Sequence, residues 1–297
     1  MAKSTVFFSR DVSPETVIML YEKLGIELPG KVAVKVHTGE KGNQNFMRPE
    51  FWKPMFDRLD GRIVECNTAY GDRFAGIRDH TASHRKLIEY HGWTKYYDVD
   101  IMDEEGPDVV WEIPNGKILK ENRLGKHILN YDSMLVLAHF KGHPMGGYGG
   151  ALKQLSIGCA SAEGKALIHS GGKSTSNIEA WDMHADRNGF PEAMADAASS
   201  VVKHFEGKIA FINVMKNLSV DCDCCAVAED PCMKNIGILA SLDPVAIDQA
   251  CIDLIWKSED PGRDHFVERV ESRNGRHTIE AAAELGFGSR EYDLIEV

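Results

Sequence analysis

Ser133-Met-Leu-Val-Leu-Ala-His139 carries a polar residue only at each end of seven. A strand with one wet face alternates apolar and polar side chains. This run does not, so both of its faces must be covered. Lys31-Val-Ala-Val-Lys-Val-His37 is a second strand, dense in valine and alternating only in its first half. Residues 5–9, 62–66, 97–102, 208–214, 236–241 and 292–297 read as further strands. Helical stretches separate them. Ser13-Pro14-Glu15 supplies a cap, a first-turn proline and an acid for the positive helix end, and Gly25 closes that helix. Residues 49–59, 81–91, 191–205, 245–256, 266–272 and 278–285 continue the rhythm. The alternation predicts an α/β fold, a mixed, mainly parallel β-sheet with flanking helices, as a single domain over residues 1–297. The polar segment 103–126, with Pro107, Pro114 and Gly116, reads as a small excursion or lid.

At 297 residues the chain is long enough to bury a core without disulfides. Its 34 basic and 45 acidic side chains leave a net charge of −11, which opposes nucleic-acid and anionic-membrane binding. A local pocket can still be positive. The apolar run in residues 1–10 is too short for a signal-peptide core, and no later run approaches a membrane span. The expected location is cytoplasmic, where thiols stay reduced, and seven cysteines is an odd number for a disulfide framework.

Beyond residue 139 the chain continues Phe140-Lys-Gly-His-Pro-Met-Gly-Gly-Tyr-Gly-Gly-Ala-Leu-Lys153. Ligands of open α/β sheets bind beyond the carboxyl ends of strands. Gly146, Gly147, Gly149 and Gly150 allow close backbone approach, and a helix starting near Gly149 or Gly150 would offer free N–H groups to a small anionic ligand. Lys141 and Lys153 add charge; His139 and His143 can ligate a metal or move a proton. The stretch is neither a P-loop nor a dinucleotide fingerprint. The plain alternative is that its glycines only permit tight packing. His169-Ser-Gly-Gly-Lys173 is a second loop of similar chemistry, and Asn67 opens a strand-end loop placed like a binding loop. Trp181-Asp-Met-His184 either covers the glycine loops or packs. His80 and His84, at i and i+4, read as two surface histidines.

Four of the seven cysteines fall in Cys222-Asp-Cys224-Cys225-x6-Cys232. Thiolates held on short loops select zinc, copper(I) or iron–sulfur. The spacing matches neither a zinc finger nor a bacterial ferredoxin. In extended chain Cys222 and Cys224 share a side while Cys225 diverges. Asp221, Asp223 or a histidine of the Lys141 loop can complete a site for a metal ion or iron–sulfur cluster, with Cys225 and Cys232 as additions and Asp243 and Asp248 as supporting groups. The alternative is a thiol-rich turn without metal.

Longer phrases resemble one family. Val64-Glu-Cys-Asn-Thr-Ala-Tyr-Gly71, His139-Phe-Lys-Gly-His143, Gly146-Gly-Tyr-Gly-Gly-Ala-Leu-Lys153, Asp221-Cys-Asp-Cys224 and Ile236-Gly-Ile-Leu-Ala-Ser-Leu-Asp-Pro-Val-Ala-Ile-Asp-Gln249 look like the domain-of-unknown-function family 362, described as related to iron–sulfur centres. Many of its members carry an inserted ferredoxin-like segment. Here no cysteine lies between His169 and Pro191, so the Asp221–Cys224 phrase alone is left to bind metal. A local pattern, His143 followed by Gly-Gly and then Lys153, is similar to the cofactor loop of nickel-pincer lactate racemases. There the lysine is covalently attached and the histidine works near the reacting carbon. The resemblances imply a metal-binding α/β protein that takes a small anionic ligand, with His143 as proton carrier and Lys153 as anion partner or covalent anchor, in redox or isomerase chemistry. The alternative is a non-catalytic metal-handling or scaffold protein with a structural zinc or iron–sulfur site. The sequence leaves open whether the protein is an enzyme.

Overall fold

Burying seven apolar residues in a row needs neighbours on every side. The computed structural model, which describes residues 3–71 and 76–297, supplies them. In chain order its first half runs β1 (Ser4–Ser9), α1 (Pro14–Lys23), β2 (Val32–Lys35), α2 (Pro49–Arg58), β3 (Gly61–Glu65), α3 (Thr81–Tyr90), β4 (Val99–Ile101), β5 (Val109–Glu112), β6 (Glu121–Leu124) and β7 (Ser133–His139). A hairpin of β8 (Lys141–His143) and β9 (Gly147–Gly149) follows, then α4 (Ala151–Ser156), α5 (Ala162–His169) and α6 (Gly189–His204). The last part holds β10 (Ile209–Met215), β11 (Gly237–Ser241), α7 (Pro244–Trp256), α8 (Arg263–Ser272), α9 (Arg276–Glu284) and β12 (Tyr292–Glu296).

Among the described residues the main sheet has eight strands in the order β12-β1-β11-β10-β7-β2-β3-β4. Only β11 runs against the others. In β7, Met134 and Val136 join one core, against α4, α6 and α7; Leu135 and Leu137 join the other, against α1, α2 and α3. The strand period of two thus divides a uniformly apolar run between two cores. Helix starts follow local chemistry. Ser13 accepts the Thr16 N–H at 3.3 Å, and Asp243 accepts those of Val245 and Ala246 at 2.8 and 3.0 Å ahead of Pro244.

The segment 103–126 contains the β5–β6 hairpin, which is docked on α6. Trp111 stacks on His204 with ring centres 4.2 Å apart. The Asp196 carboxylate accepts the N–H groups of Lys117, Ile118 and Leu119 at 2.7–2.8 Å. The glycine stretch is a β-hairpin followed by a short helix, where glycine content masks strand propensity. His84 also departs from expectation: it is fully buried, with Nδ1 3.1 Å from Asn67 Oδ1, because the loops after β2 and β3 fold over it.

Asp248 on α7 ties the glycine hairpin to the sheet. Its carboxylate accepts the N–H groups of Ala151 and Leu152 at 2.8 and 3.0 Å, the Asn213 amide at 2.7 Å and the Tyr148 hydroxyl at 3.1 Å. A Cβ on Gly150 would lie 2.5 Å from Asp248 Oδ1, so glycine is required there. Burial pushes the Asp248 carboxyl up to about 6 against these bonds.

Two stability predictions follow from these buried groups. Asp248→Ala strands four buried donors and should cost about 3 kcal/mol or more in urea unfolding, with Asp248→Asn costing less. Burial and Arg78 hold His84 down to about 3. An unfolded histidine takes its proton near 6.5, so below that pH the unfolded state gains protons that the folded state refuses. This contribution is fully present above about pH 6.5 and is lost as pH falls towards 3, by about 2 kcal/mol at pH 5. The loss of stability between pH 7 and 5 should shrink by that amount in His84→Gln; an unchanged slope would rule out the buried neutral ring.

Candidate functional site

Because β2, β3, β7 and β10 are parallel, the loops that follow them share one rim of the sheet. The cysteine loop after β10 and the glycine hairpin after β7 meet there in backbone contact. Gly142 N–H donates to the Ser219 carbonyl at 2.8 Å, and a Cβ on Gly142 would sit 2.2 Å from the Val220 oxygen. Asp223 clasps the two loops together. Its buried carboxylate lies 2.9 Å from both His139 Nδ1 and Lys141 Nζ, and these two neighbours hold it well below the usual carboxylate range although burial pushes the other way. The other loops add support: Asn43 donates to the carbonyls of Cys222 and Cys225 at 3.1 and 2.9 Å, and Tyr70 to that of Cys224 at 2.9 Å.

With Asp223 turned inward, the flanking sulfurs face the hairpin. One donor atom each from His143, Cys222 and Cys224 lies within 4.8 Å of the others. Cys224 Sγ is 3.8 Å from His143 Nε2, and Lys153 Nζ is 3.7 Å from Cys222 Sγ. Burial opposes ionisation of Cys222, but the hydrogen bond from Cys224 and the charge of Lys153 outweigh it and hold this thiol well below its ordinary value. Cys224, which gives its hydrogen to Cys222, is raised. Burial, with Lys153, brings His143 down to about 4. Its Nδ1 accepts the N–H groups of Met145 and Gly146 at 3.1 and 2.8 Å, which leaves the proton of the neutral ring on Nε2, towards the sulfurs. The two sulfurs therefore suit a soft metal ion directly, while His143 in this tautomer offers an N–H rather than a lone pair.

A cavity of about 440 Å³ opens beside this group. Lys141, His143, Lys153, Gly149, Gly150, His169, Cys224 and Cys225 of the sequence-predicted residues line it. Cys222 lies in the group beside it, and the rest lie elsewhere. His139 is buried behind Asp223, its Nε2 2.5 Å from the Lys216 carbonyl. Asp221 pairs with Arg269 at 2.8 Å and accepts the Glu229 N–H at 3.0 Å, and Asp223 is occupied by His139 and Lys141, so neither carboxylate is free for a metal. The Cys232 thiol sits 3.3 Å from the Leu218 carbonyl, in the neck of the loop. Gly146 ends the hairpin turn and Gly147 opens β9, against Gly275 ahead of α9. Asn67 is spent on Thr81 and His84, and Lys173 donates to the His184 carbonyl at 2.9 Å. The α4 amides expected to meet a ligand anion are taken by Asp248, and Asp243 caps α7.

Several groups had no signal in local pattern. Lys165 lines the cavity from α5, its Nζ 2.5 Å from the Ala160 carbonyl, and burial lowers its affinity for a proton. Glu65 and Arg78 line it too, and they are paired: Glu65 with Lys35 at 2.7 Å, Arg78 with Glu40 at 3.1 Å. The lysine inside the valine-rich β2 was the one visible hint of this buried charge. No carboxylate among the described residues lies within ion-pair distance of Lys153 or Lys165. The buried His169 ring stacks on Phe190 at 4.7 Å, and its Nδ1 has no hydrogen-bond partner among the described residues.

No helix among the described residues is long and apolar enough to cross a membrane. No curated protein matches the chain. Among solved structures, a protein of Thermotoga maritima aligns with a TM-score of 0.42 at 9% identity, over 91% of this chain and 58% of its own. The lactate racemase apoprotein from Thermoanaerobacterium thermosaccharolyticum aligns with a TM-score of 0.39 at 12% identity, over 70% of this chain and 50% of its own. The chain thus spans between half and three fifths of the length of these two proteins. A family model, Domain of unknown function (DUF362), matches residues 32–253, which take in the whole cavity and both of its defining loops, and the chain belongs to that family.

Proposed function

We propose that this protein binds a small organic anion in the rim cavity, over a soft metal ion held by Cys222 and Cys224. The observation that carries this reading is the convergence of His143, Cys222 and Cys224 donor atoms within 4.8 Å beside Lys153, which has no carboxylate within ion-pair distance among the described residues. Holding an ammonium partly out of water with no carboxylate beside it costs desolvation that an anionic ligand would offset. Lys153 serves as anion partner. His143 presents its Nε2–H to the same point, where an N–H and an ammonium together stabilise negative charge developing on a ligand oxygen. Of the redox and isomerase chemistries, this arrangement favours reactions that pass through an anionic ligand. A second reading, cysteine chemistry without metal, is favoured by the His143 Nε2–H pointing at sulfur.

Elemental analysis of protein purified without oxygen tests the two readings. Near-stoichiometric metal that is lost in Cys222→Ser and Cys224→Ser, yet retained in Lys153→Ala, is the expected result. Metal-free protein in which Cys222 reacts with a thiol reagent far faster than Cys66 would instead establish the second reading. Loss of metal in Lys153→Ala would merge the anion and metal positions into one.

A further inference from the structure

The cavity is far larger than the anionic group alone requires. Its volume of about 440 Å³ falls in the range of pockets that enclose drug-sized organic ligands, about 300–1,000 Å³. A carboxylate head fills only a small part of that. The distribution of the lining says what fills the remainder.

Charge is gathered around Gly149. A Cβ there would meet Lys153 Cδ at 3.3 Å and Lys141 Cε at 3.5 Å, so two lysine side chains flank one glycine, the Lys141 ammonium paired with Asp223 and that of Lys153 lying 3.7 Å from Cys222 Sγ. Away from that point, beside polar lining such as Gln154 and Lys165, the wall has an apolar and aromatic part: Met145 and Ile157, which belong to the packed cluster around Phe190, together with Ala69 and Trp181. Trp181 is fixed before any ligand arrives. Its indole N–H donates to the Ala69 carbonyl at 3.0 Å, and its ring centre lies 4.8 Å from that of His169 and 6.4 Å from that of Tyr70. Val227, on the cysteine loop at the cavity mouth, is 90% exposed, an apolar side chain left in water beside an opening. A hydrophilic anion would leave this surface wetted and gain nothing from it. An apolar body would remove it from water.

We propose that the ligand is an amphipathic acid, its anionic head on Lys153 beside His143 and an apolar body of about aromatic size against Trp181, Ile157 and Met145. This rests on the anion-binding reading above and adds the class of molecule attached to the anion. The body reaches from the charged end to the mouth, where Val227 closes over it.

Calorimetric titration of the purified protein with 4-phenylbutyrate, acetate and the uncharged 4-phenylbutanol tests it. The expected result is that 4-phenylbutyrate binds at least about thirtyfold more tightly than acetate, from the apolar surface it buries. Trp181→Ala should weaken 4-phenylbutyrate at least about tenfold and leave acetate unchanged, while Lys153→Met should weaken both acids and spare the alcohol. Ile157→Asn repeats the first comparison if the Trp181 variant does not fold. Acetate binding as tightly as 4-phenylbutyrate would overturn the amphipathic ligand and leave the anion site standing. Equal binding of the alcohol and the acid would overturn the anion site. Failure of all three probes to bind would overturn both.

Discussion

The whole rim depends on one buried carboxylate. Asp223 lies between two cysteines and holds His139 from the end of β7 and Lys141 from β8, with all three side chains out of water. Desolvating an ion pair is costly, and stripping such a pair of one partner is worse, because the surviving charge stays buried. The clasp is therefore weak evidence of high stability and strong evidence of a fixed arrangement. It gives the interleaving of acids and cysteines a physical reason. The acid turns into the protein, and the sulfurs on either side of it turn out towards His143 and Lys153.

Charge pairing elsewhere under the rim sets the sign of the cavity. Lys35 with Glu65, and Arg78 with Glu40, neutralise each other in the buried floor, and Lys141 is answered by Asp223. Lys153 and Lys165 lack such a partner among the described residues. An acidic protein thus carries a basic hollow, since the field inside a low-dielectric cleft is governed by nearby groups rather than by net charge.

Much of the framework was legible in the chain because it rests on local rules. The apolar run 133–139 behaves as a strand covered on both faces, and Pro244 after Asp243 starts α7 where cap chemistry says it should. What escaped depends on partners distant in sequence. The direction of β11 is invisible in its five residues. It follows from the cysteine loop, which leaves β10 at the rim and returns to the sheet from the same rim. The β8–β9 strands are hidden by glycine, whose presence reflects Val220 and Asp248 pressing on the backbone, not a preference for loops. His84 looks like half of a surface pair until the loops after β2 and β3 cover it. Period-two reasoning put Cys222 and Cys224 on one side, and their sulfurs do lie together beside His143. It gave no warning that the acids next to them were already engaged with Arg269, His139 and Lys141.

The capture of the α4 amides by Asp248 reaches beyond stability. Many α/β proteins grip anions with backbone at a helix start, and that grip is built into the chain path. Here the helix start is sealed from within by Asp248, so the α4 amides are not offered to the hollow and its polar lining there consists of side chains. Side chains can be exchanged one at a time without disturbing the path of the main chain. The lining of the hollow can thus vary one position at a time while the hairpin and α4 stay tied to the sheet through Asp248.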